Sequence, residues 1–584
     1  MNLLLKKDKN TEEKMMIKLP QLTMDEILPD YGYMNLYEFL LACLAPHKED
    51  YPMFQFKLTD HMKSEFFEDV EAMAVYFKEE LGMKAGDAYS LFIPNSIEEV
   101  VCLYALNKIG CIANLIHPLF PPEAMKNSVT YTKSKGVLLY EMFLHQHAAT
   151  LKSIEGLDVI ITSPVLYAAP VEKKYYIRPD EKFMAIANAT GLEVKFFGDI
   201  LKKYRGQKTE GLYRSGDLTA VYMNGGGTTG VSRFIMLSST ALNAVTKNAL
   251  GAATPSHHKA GYYAKVLALP FFHAYGLCGG LLTTMVSGWK SVPMARFEAD
   301  EYISYLKANQ CYEIIGVPNM YRKLLDHPDF EGEHLSHLRY AFAGGDYVPI
   351  DFLKRFNDIM EKWGAEATLM PGYGLTECGA VDCINMPWLT KPGTIGKVLK
   401  TIEAKIFDEE QNELPLGTVG EIAFTGNTLM KGYLMPDGRL GEGLYTDENG
   451  KQWVLTGDLG KIDEDGYITF VARKKRVIII SGYNVFPADI ENLLEPLPFL
   501  TECCAVQGFD EDKKPIVRLY IVLSPEADAD KLEEYKKTIT DMCATLDRFS
   551  VPRDIRVIDA LPRTRLEKID FLKLTEQRTE DSKT

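Results

Sequence analysis

The first two-thirds of the chain alternates short apolar runs with amphipathic stretches of helical period. Residues 89–93 predict a buried strand, and Ser96 then predicts a helix start, with Glu99 completing a capping box. Gly110 predicts the end of that helix, and residues 111–116 predict the next strand. Such strand-helix-strand units build parallel sheets that place ligand sites at the carboxyl ends of the strands.

Similar apolar runs predict further strands, at residues 137–140, 159–162, 220–223, 313–317 and 338–343. After about residue 400 the pattern predicts antiparallel strands at residues 403–408 and 419–425. A shorter mixed segment follows, with predicted strands at residues 477–480 and 516–523 and one charged helix at residues 529–546. A chain of 584 residues is too long for one core. We expect an α/β fold with a large N-terminal body of stacked sheets and helices, residues 1–473, and a small mobile C-terminal α+β domain, residues 474–584.

Charge and cysteine usage exclude several classes of protein. The net charge of -15 argues against nucleic acid as a partner. The ten cysteines form no CxxC pair, which favours reduced thiols in the cytoplasm over a zinc site. Residues 266–289 carry no formal charge, but they contain Pro270, His273 and several glycines, so a strand, a loop and a core helix are predicted there instead of a transmembrane segment.

A glycine-rich run at residues 224–233 directly follows a predicted strand. Glycines let backbone N–H groups close on phosphate oxygens, and the hydroxyls of Thr228 and Thr229 add donors. Val231 stands where the lysine of a nucleoside-triphosphatase P-loop must be, which excludes that motif. Taken alone, the run fits either a phosphate-binding loop or a hairpin turn.

Three weaker motifs follow along the chain. In residues 371–377, Tyr373 between glycines can lie against a purine, and the Glu377 carboxylate can hold Mg²⁺, a hard ion that prefers oxygen ligands. Asp458 can accept from ribose hydroxyls, as acidic residues do in dinucleotide folds. Lys568 lies near the C-terminus in residues 562–570. Alone, each motif fits a turn or an exposed surface equally well.

Together, in this order and spacing, the four motifs resemble the adenylate-forming enzymes, a superfamily of acyl- and aryl-CoA synthetases, peptide-synthetase adenylation domains and beetle luciferases. The resemblance covers about residues 35 to 575 and is closest to AMP-forming acyl-CoA synthetases. It implies that ATP and Mg²⁺ are used to convert a carboxylic acid into an acyl-adenylate, followed by transfer to CoA.

The resemblance also implies roles residue by residue. The catalytic group would comprise Lys568, Thr376, Glu377 and His273, with Glu377 holding the Mg²⁺. ATP would be bound by Gly227, Thr228, Thr229, Gly230, Arg233, Gly344, Gly345, Tyr373, Asp458 and Arg473. Gly482 and Tyr483 would line the CoA tunnel, and Lys475 would be the hinge between the large and the small domain.

The chain departs from the family pattern at a few positions. Gly226 replaces a serine, Val231 a lysine and Arg233 a second lysine in the phosphate loop, while Glu567 replaces the glycine before Lys568. An anionic neighbour weakens the attraction of phosphate, so turnover slower than in typical members is expected. A catalytically weak acyl-adenylate-binding protein is therefore an alternative.

Two further features narrow the choice of carboxylic acid substrate and of the acceptor of its acyl group. His273 stands where amino-acid-activating relatives carry an aspartate, which disfavours an α-amino acid. The expected pocket wall, at residues 315–317, 341–343 and 374–375, is apolar and suits an acyl chain or an aryl ring, with a fatty acid favoured. No carrier domain follows residue 574, which favours free CoA, with a separate carrier protein as the alternative acceptor and luciferase-like oxidation as a minor one.

Overall fold

The structure is a computed structural model, and it describes most of the chain. The described residues are 32, 34–169, 171–211, 216–225, 233–253, 259–346, 348, 350–386, 389–435, 437–438, 440–441, 443–480, 483–563 and 569–576. Backbone contacts divide the chain into two compact units. The first comprises residues 1–404 and 424–454, and the second comprises residues 405–423 and 455–584. A domain boundary at residues 473 and 474 stays a prediction.

A nine-stranded sheet in the first unit is built from the repeated strand-helix-strand segments. In spatial order its strands are Leu440–Gly441, Tyr433–Leu434, Arg233–Ser238, Thr219–Gly225, Ile112–Leu115, Ala88–Phe92, Gly136–Tyr140, Asp158–Thr162 and Lys195–Phe196. The six strands from Thr219–Gly225 to Lys195–Phe196 are parallel, and the remaining three join antiparallel. The predicted strands of this region are present, because each is a short, mainly apolar run that both faces of a sheet can bury.

The helix Ile97–Lys108 corrects one detail of the prediction. The Ser96 hydroxyl accepts from the Glu99 backbone N–H at 3.3 Å, as a helix cap should. The two carboxylate oxygens of Glu99 have no hydrogen-bond partner among the described residues, so the predicted capping box is wrong. The Glu99 side chain is buried in the core, where burial raises its pKa well above the usual range.

Two five-stranded sheets complete the framework of the first unit. One has the order Gln310–Cys311, Tyr263–Leu267, Lys290–Pro293, Pro52–Phe56 and Thr59–Met62. The other has the order Glu313–Gly316, Tyr340–Ala343, Leu369–Tyr373, Cys383–Ile384 and Lys397–Val398. The first three strands of this second sheet are parallel, so the segments that follow them leave the sheet at one edge.

The uncharged segment at residues 266–289 forms a strand, a loop and a helical stretch, as predicted, and leads to the neighbouring strand Lys290–Pro293 of the same sheet. Its helical part begins as a π-helix, Tyr275–Leu282, and continues as the short α-helix Thr283–Val286. π-Helices are rare and concentrate at functional sites. The glycines at 276, 279 and 280 give this helix a side-chain-poor surface.

The other helices of the first unit lie between these strands in the chain. The α-helices are Leu36–Leu44, Lys63–Val75, Pro122–Tyr131, Leu144–Lys152, Val171–Lys174, Glu181–Thr190, Phe197–Tyr204, Ser239–Ala253, Ala299–Ala308, Pro318–Leu325 and Ile350–Lys362. A π-turn occupies Tyr76–Glu80, and short 3-10 turns occupy Glu141–Phe143, Leu166–Ala168, Glu333–Leu335 and Thr376–Cys378.

The chain crosses between the units within three antiparallel strands, Ile402–Phe407, Gly420–Gly426 and Gln452–Ile462. Tyr445–Thr446 pairs with the start of the third of these strands, and Ile468–Arg473 pairs with its end. The two strands expected after residue 400, at residues 403–408 and 419–425, are Ile402–Phe407 and Gly420–Gly426, each shifted by about one residue.

The second unit ends in a small α+β segment. Its strands are Ile478–Ile480, Tyr483–Val485, Leu500–Phe509, Pro515–Leu523 and Asp554–Val557, and its helices are Pro487–Leu494, Leu532–Cys543 and Phe571–Glu576. The helix expected at residues 529–546 is shorter, because a 3-10 turn, Ala529–Lys531, precedes it and Asp547 accepts from two backbone N–H groups just beyond it. The predicted α/β fold with a large body and a smaller C-terminal part is confirmed.

All ten cysteines lie in the described part of the chain and are free thiols, nine of them buried. Burial raises the pKa of several, as for Cys43, whose pKa rises to about 12. Among the described helices, none is both long and apolar enough to cross a membrane.

Candidate active site

Two glycines and a tyrosine lie together at the edge of the second five-stranded sheet. Gly344 and Gly345 follow the strand Tyr340–Ala343, and Tyr373 ends the neighbouring strand Leu369–Tyr373. A Cβ on Gly344 would lie 3.3 Å from the backbone oxygen of Gly372, so the two strand ends approach closely. The predicted adenine slot, formed by Gly344, Gly345 and Tyr373, is therefore a narrow strip of backbone beside one aromatic ring.

The turn after Tyr373 tolerates no side chain at its first position. A Cβ on Gly374 would lie 1.7 Å from the backbone oxygen of Ala380. Asp382 closes the turn, since its Oδ2 accepts from the Leu375 N–H at 3.1 Å. Burial raises the pKa of Asp382 well above its usual range, since it disfavours the charged form of this carboxyl.

Glu377 lies in the 3-10 turn Thr376–Cys378 that follows. Its Oε1 accepts from the hydroxyl of Tyr433 at 2.9 Å, and its backbone oxygen accepts from the Met430 N–H at 2.8 Å. The guanidinium of Arg233 lies over the Tyr433 ring, 5.5 Å from the centroid. Three elements distant in sequence thus bring a carboxylate, a phenol and a guanidinium together. This set fits a divalent cation on the carboxylate and phosphate oxygens beside the guanidinium.

Sequence reasoning missed Tyr433. Its strand Tyr433–Leu434 joins the edge of the nine-stranded sheet, where Tyr433 pairs with Ile235. No local motif surrounds it, and only the pairing of distant strands places its hydroxyl against Glu377. Burial and the neighbouring Glu377 charge raise the pKa of Tyr433, so it remains a donor at neutral pH.

The predicted phosphate loop lies in the sequence between two paired strands. Strands Thr219–Gly225 and Arg233–Ser238 are antiparallel, and Gly225 pairs with Arg233. The positions Gly226, Gly227, Thr228, Thr229, Gly230 and Val231 lie outside the described residues. Their predicted contacts with phosphate stay predictions, as does the effect of Val231.

A cavity of about 100 Å³, partly open to solvent, adjoins the glycine strip. It is lined by Ala249, Lys265, Tyr275, Gly279, Thr283, Trp289, Glu313, Ile315, Phe342, Gly344, Gly345, Gly372, Tyr373, Gly374, Ala380, Val381 and Ile384. Each of the three segments expected to form the wall of an acid pocket supplies one of these residues: Ile315, Phe342 and Gly374. The cavity thus joins the predicted adenine slot to a mostly apolar chamber.

His273 is placed just before the π-helix that forms part of the cavity wall. Its ring lies 4.9 Å from that of Phe272, and its backbone oxygen accepts from the Leu277 N–H at 2.9 Å. Among the described residues, the cavity is lined by Tyr275 of this segment but not by His273. The catalytic role of His273 stays a prediction.

In the second unit, Asp458 and Arg473 face each other across neighbouring strands. They are directly paired in register, and Arg473 Nε lies 3.3 Å from Asp458 Oδ1. The Asp458 carboxylate is buried while about half of the Arg473 side chain is exposed. The backbone of Asp458 is held by the Thr456 hydroxyl, which accepts from its N–H at 3.0 Å. The predicted ribose-binding pair is therefore assembled within this unit.

The predicted hinge residue, Lys475, lies between two basic residues whose side chains each form an ion pair. Lys474 Nζ lies 3.0 Å from Glu421 Oε2, and Arg476 lies 2.5 Å from the Glu491 carboxylate. Lys475, the middle residue of this 3-10 turn, is exposed. The two neighbours are thus held by different elements, the strand Gly420–Gly426 and the helix Pro487–Leu494.

Tyr483 and the C-terminal motif lie further along the second unit. Tyr483 is exposed, and its ring stacks on Phe549 at 4.4 Å, while Gly482 lies outside the described residues. Lys568 and Glu567 also lie outside them. The ends of their segment are tied together, because Arg563 pairs with Ile569 in a β-bridge.

Comparison with known proteins identifies the family. A sequence model described as AMP-binding enzyme matches residues 46–434, more than half of the chain. A second model, described as AMP-binding enzyme C-terminal domain, matches residues 489–568. The chain belongs to the AMP-binding enzyme family. The predicted resemblance to adenylate-forming enzymes is confirmed, and so is the predicted class, an AMP-forming acid–thiol ligase.

Individual relatives match either nearly the whole chain or about half of it. A protein named long-chain-fatty-acid–CoA ligase from Bacillus subtilis is 26% identical over 576 residues, covering 97% of this chain and 96% of its own. A 3-[(3aS,4S,7aS)-7a-methyl-1,5-dioxo-octahydro-1H-inden-4-yl]propanoyl:CoA ligase from Rhodococcus jostii is 30% identical over 305 residues, covering 51% of this chain and 54% of its own. The crystal structure of the anthranilate CoA ligase AuaEII superposes with a TM-score of 0.77 at 19% identity, covering 94% of this chain and 98% of that one.

Proposed function

We propose that this enzyme uses ATP to convert a hydrophobic carboxylic acid into an acyl-adenylate, releasing pyrophosphate, and then transfers the acyl group to CoA. The observation that carries the proposal is the cavity that joins the glycine and tyrosine strip to an apolar chamber. An acid held in the chamber would present its carboxylate toward a nucleotide held on the strip. The names of full-length relatives support a fatty acid as the substrate.

The reaction explains why these residue types are needed. A carboxylate is a poor electrophile, and attack by its oxygen on the α-phosphorus makes a mixed anhydride in which AMP is a good leaving group. Negative charge grows on the phosphate oxygens during this step, so preorganised positive groups and donors stabilise the transition state. Mg²⁺ bound at Glu377 would supply part of that stabilisation.

This chain's own residues would divide the work. Tyr433 holds one oxygen of Glu377 and thereby orients the carboxylate toward the cation. Arg233, over the Tyr433 ring, adds a positive charge beside the phosphates. Thr376 would donate to the α-phosphate, and Lys568 would bridge the carboxylate and the α-phosphate. CoA would approach along Tyr483 and Gly482.

The acceptor and the acid are tested by one experiment with several arms. AMP formation is measured over a panel of aliphatic and aryl acids, without acceptor, with CoA, and with an acyl-carrier protein. The proposal predicts multiple turnovers only when CoA and an aliphatic acid are both present. Turnover with the carrier protein but not with CoA would identify the carrier protein as the acyl acceptor. Binding of synthetic acyl-adenylates without any pyrophosphate release from ATP would favour a binding protein instead.

The location of the enzyme belongs to the same proposal. Ten free thiols, most of them buried, suit the reducing conditions of the cytoplasm. Fractionation of cells that express the full chain, followed by detection of the protein in the cytoplasmic fraction, tests this location.

A further inference from the structure

The cavity is not apolar throughout, because two oppositely charged side chains line it. Lys265 lies on the strand Tyr263–Leu267, and Glu313 begins the strand Glu313–Gly316. Lys265 Nζ lies 2.9 Å from Glu313 Oε1. The two side chains are only 1% and 8% exposed, yet both contribute to the cavity lining. A pair of buried charges is costly to keep in a chamber meant for hydrocarbon alone.

The lysine is saturated by acceptors of the protein. Besides Glu313, its Nζ donates to the Thr283 hydroxyl at 3.2 Å and to the Gly279 backbone oxygen at 3.3 Å. An ammonium has three N–H donors, and each has an acceptor here. Lys265 is therefore fixed in place, with its charge balanced by Glu313.

The glutamate retains capacity to accept. A carboxylate offers about four lone-pair directions, and Lys265 takes one of them. The Thr283 hydroxyl, which donates to the Gly279 oxygen at 2.7 Å, lies beside the same ammonium. The cavity wall therefore presents Glu313 oxygens that can accept a further hydrogen bond, and the Glu313 charge is balanced by Lys265.

We infer that this pair recognises a hydroxyl group carried by the acid, so the preferred substrate is a hydroxylated hydrophobic acid and not its plain counterpart. The inference rests on the proposed function and specifies its substrate class. A neutral hydroxyl can donate to Glu313. A second carboxylate or an ammonium on the substrate would lose its hydration on entering the chamber, and the pair carries no net charge to offset that cost. A methyl group would displace water from Glu313 without replacing its hydrogen bonds.

The remainder of the chamber fits the hydrophobic part of such an acid. Trp289, Ile315 and Phe342 supply the large apolar surfaces, and the Trp289 ring also lies 5.5 Å from Lys265 Nζ. The π-helix contributes Gly279, which leaves room at that side of the wall. Hydrocarbon would thus contact the aromatic surfaces while the hydroxyl reaches the ion pair.

The test compares matched acids on the full-length enzyme. Pyrophosphate release is measured with straight-chain acids of six to sixteen carbons, each as the unsubstituted acid, the ω-hydroxy acid, the α,ω-dicarboxylic acid and the ω-amino acid. At the best chain length we expect kcat/KM for the hydroxy acid to exceed that for the unsubstituted acid by about tenfold or more. The two charged series should be used less well than either.

A double variant separates recognition from a purely structural ion pair. In K265M/E313L both charges are replaced by apolar side chains of similar size, a change that buried pairs often tolerate. The preference for the hydroxy acid should be lost, with the unsubstituted acid becoming the better substrate. The matched control is K108M/E71L, which removes another partly buried Lys–Glu pair that does not line the cavity. The control should keep the wild-type preference.

The outcomes distinguish this inference from the proposed function. Equal use of hydroxy and unsubstituted acids by the wild type, or an unchanged hydroxyl preference in K265M/E313L, would overturn the inference while leaving acid activation intact. Absence of pyrophosphate release with every acid would overturn both. If the double variant does not fold, Glu313→Gln replaces it. That variant should lower the hydroxy-to-unsubstituted ratio of kcat/KM at least threefold, and an unchanged ratio would contradict the inference.

Discussion

Glu377 is held on one side by the Tyr433 hydroxyl, which leaves the rest of its carboxylate to contact a ligand. In the proposed mechanism this residue holds Mg²⁺ where phosphate charge develops. Glu377→Ala should therefore slow adenylation sharply, since loss of one such electrostatic contact costs about 3–4 kcal/mol. ATP–pyrophosphate exchange measures the effect, and the exposed Glu409→Ala serves as the control. Wild-type exchange in Glu377→Ala would contradict the assignment.

Gly374 and Gly372 lie close together in the chain but differ in the room that each would leave for a Cβ atom. A Cβ at Gly374 would lie 1.7 Å from a backbone oxygen, whereas at Gly372 the nearest atom would be 3.6 Å away. Gly374→Ala should displace the turn that carries Thr376 and Glu377, and should weaken ATP binding at least tenfold. Gly372→Ala should retain a wild-type melting temperature. Calorimetric titration with ATP compares the two, and equal affinities would show that the turn adapts freely.

At the scale of helices and strands, the sequence predicted what depends on local pattern. Apolar runs such as residues 137–140 and 159–162 became strands within a residue or so, because burial on both faces of a sheet needs only a short continuous run. The same pattern carried no sign of the π-helix at Tyr275–Leu282, since its glycines and apolar residues also fit an α-helix. The Tyr433–Glu377 bond and the Lys265–Glu313 pair were not predicted either, because each joins residues far apart in the chain.

Glu98, in the first turn of the helix Ile97–Lys108, should make folding stability depend on pH. Burial raises the pKa of Glu98, the residue before Glu99, to about 7, although Glu98 accepts from the Thr162 hydroxyl at 3.1 Å. A glutamate in an unfolded chain ionises near its ordinary value of about 4.3. The contribution of Glu98 to folding stability should therefore be fully present below that value and should be lost as pH rises through about 7, a change of about 3 kcal/mol.

Glu98→Gln should remove this loss, because its amide cannot ionise. Urea unfolding at pH 5 and pH 7.5 should show the variant gaining stability relative to wild type as pH rises. The control is Glu123→Gln, an exposed glutamate in the first turn of the next α-helix. A wild-type pH slope in Glu98→Gln would mean that Glu98 is ionised in the folded protein.

On the scale of the whole molecule, the proposed reaction needs two arrangements of the C-terminal part. Lys568 would serve adenylation, and the segment with Tyr483 would serve thioester formation. Lys475 lies between two basic residues that form ion pairs with different elements, and it is the predicted position at which φ and ψ change between the two arrangements. Proline fixes φ near −65°, so Lys475→Pro should keep pyrophosphate exchange and lose acyl transfer to CoA. Lys475→Ala should retain both half-reactions, and equal slowing of both by proline would argue for one fixed arrangement.

Lys568→Ala should give the opposite result. It should fail to form the adenylate from ATP, with exchange at least a hundredfold slower, yet still transfer the acyl group of a synthetic acyl-adenylate to CoA. Its melting temperature should match wild type, because a lysine side chain rarely forms part of a protein core. The two half-reactions are measured separately, and a comparable loss in the second would contradict a role confined to adenylation.

The π-helix Tyr275–Leu282 has a consequence for how this enzyme can diverge. A π-turn contains one more residue than an α-turn. Removing a single codon here should restore ordinary α geometry and rotate the glycine-bearing surface relative to its present neighbours, among them Ile315. Adding the codon back would reverse the change. Substrate range along this lineage can therefore shift through one-residue insertions and deletions, a route that side-chain replacement alone does not offer.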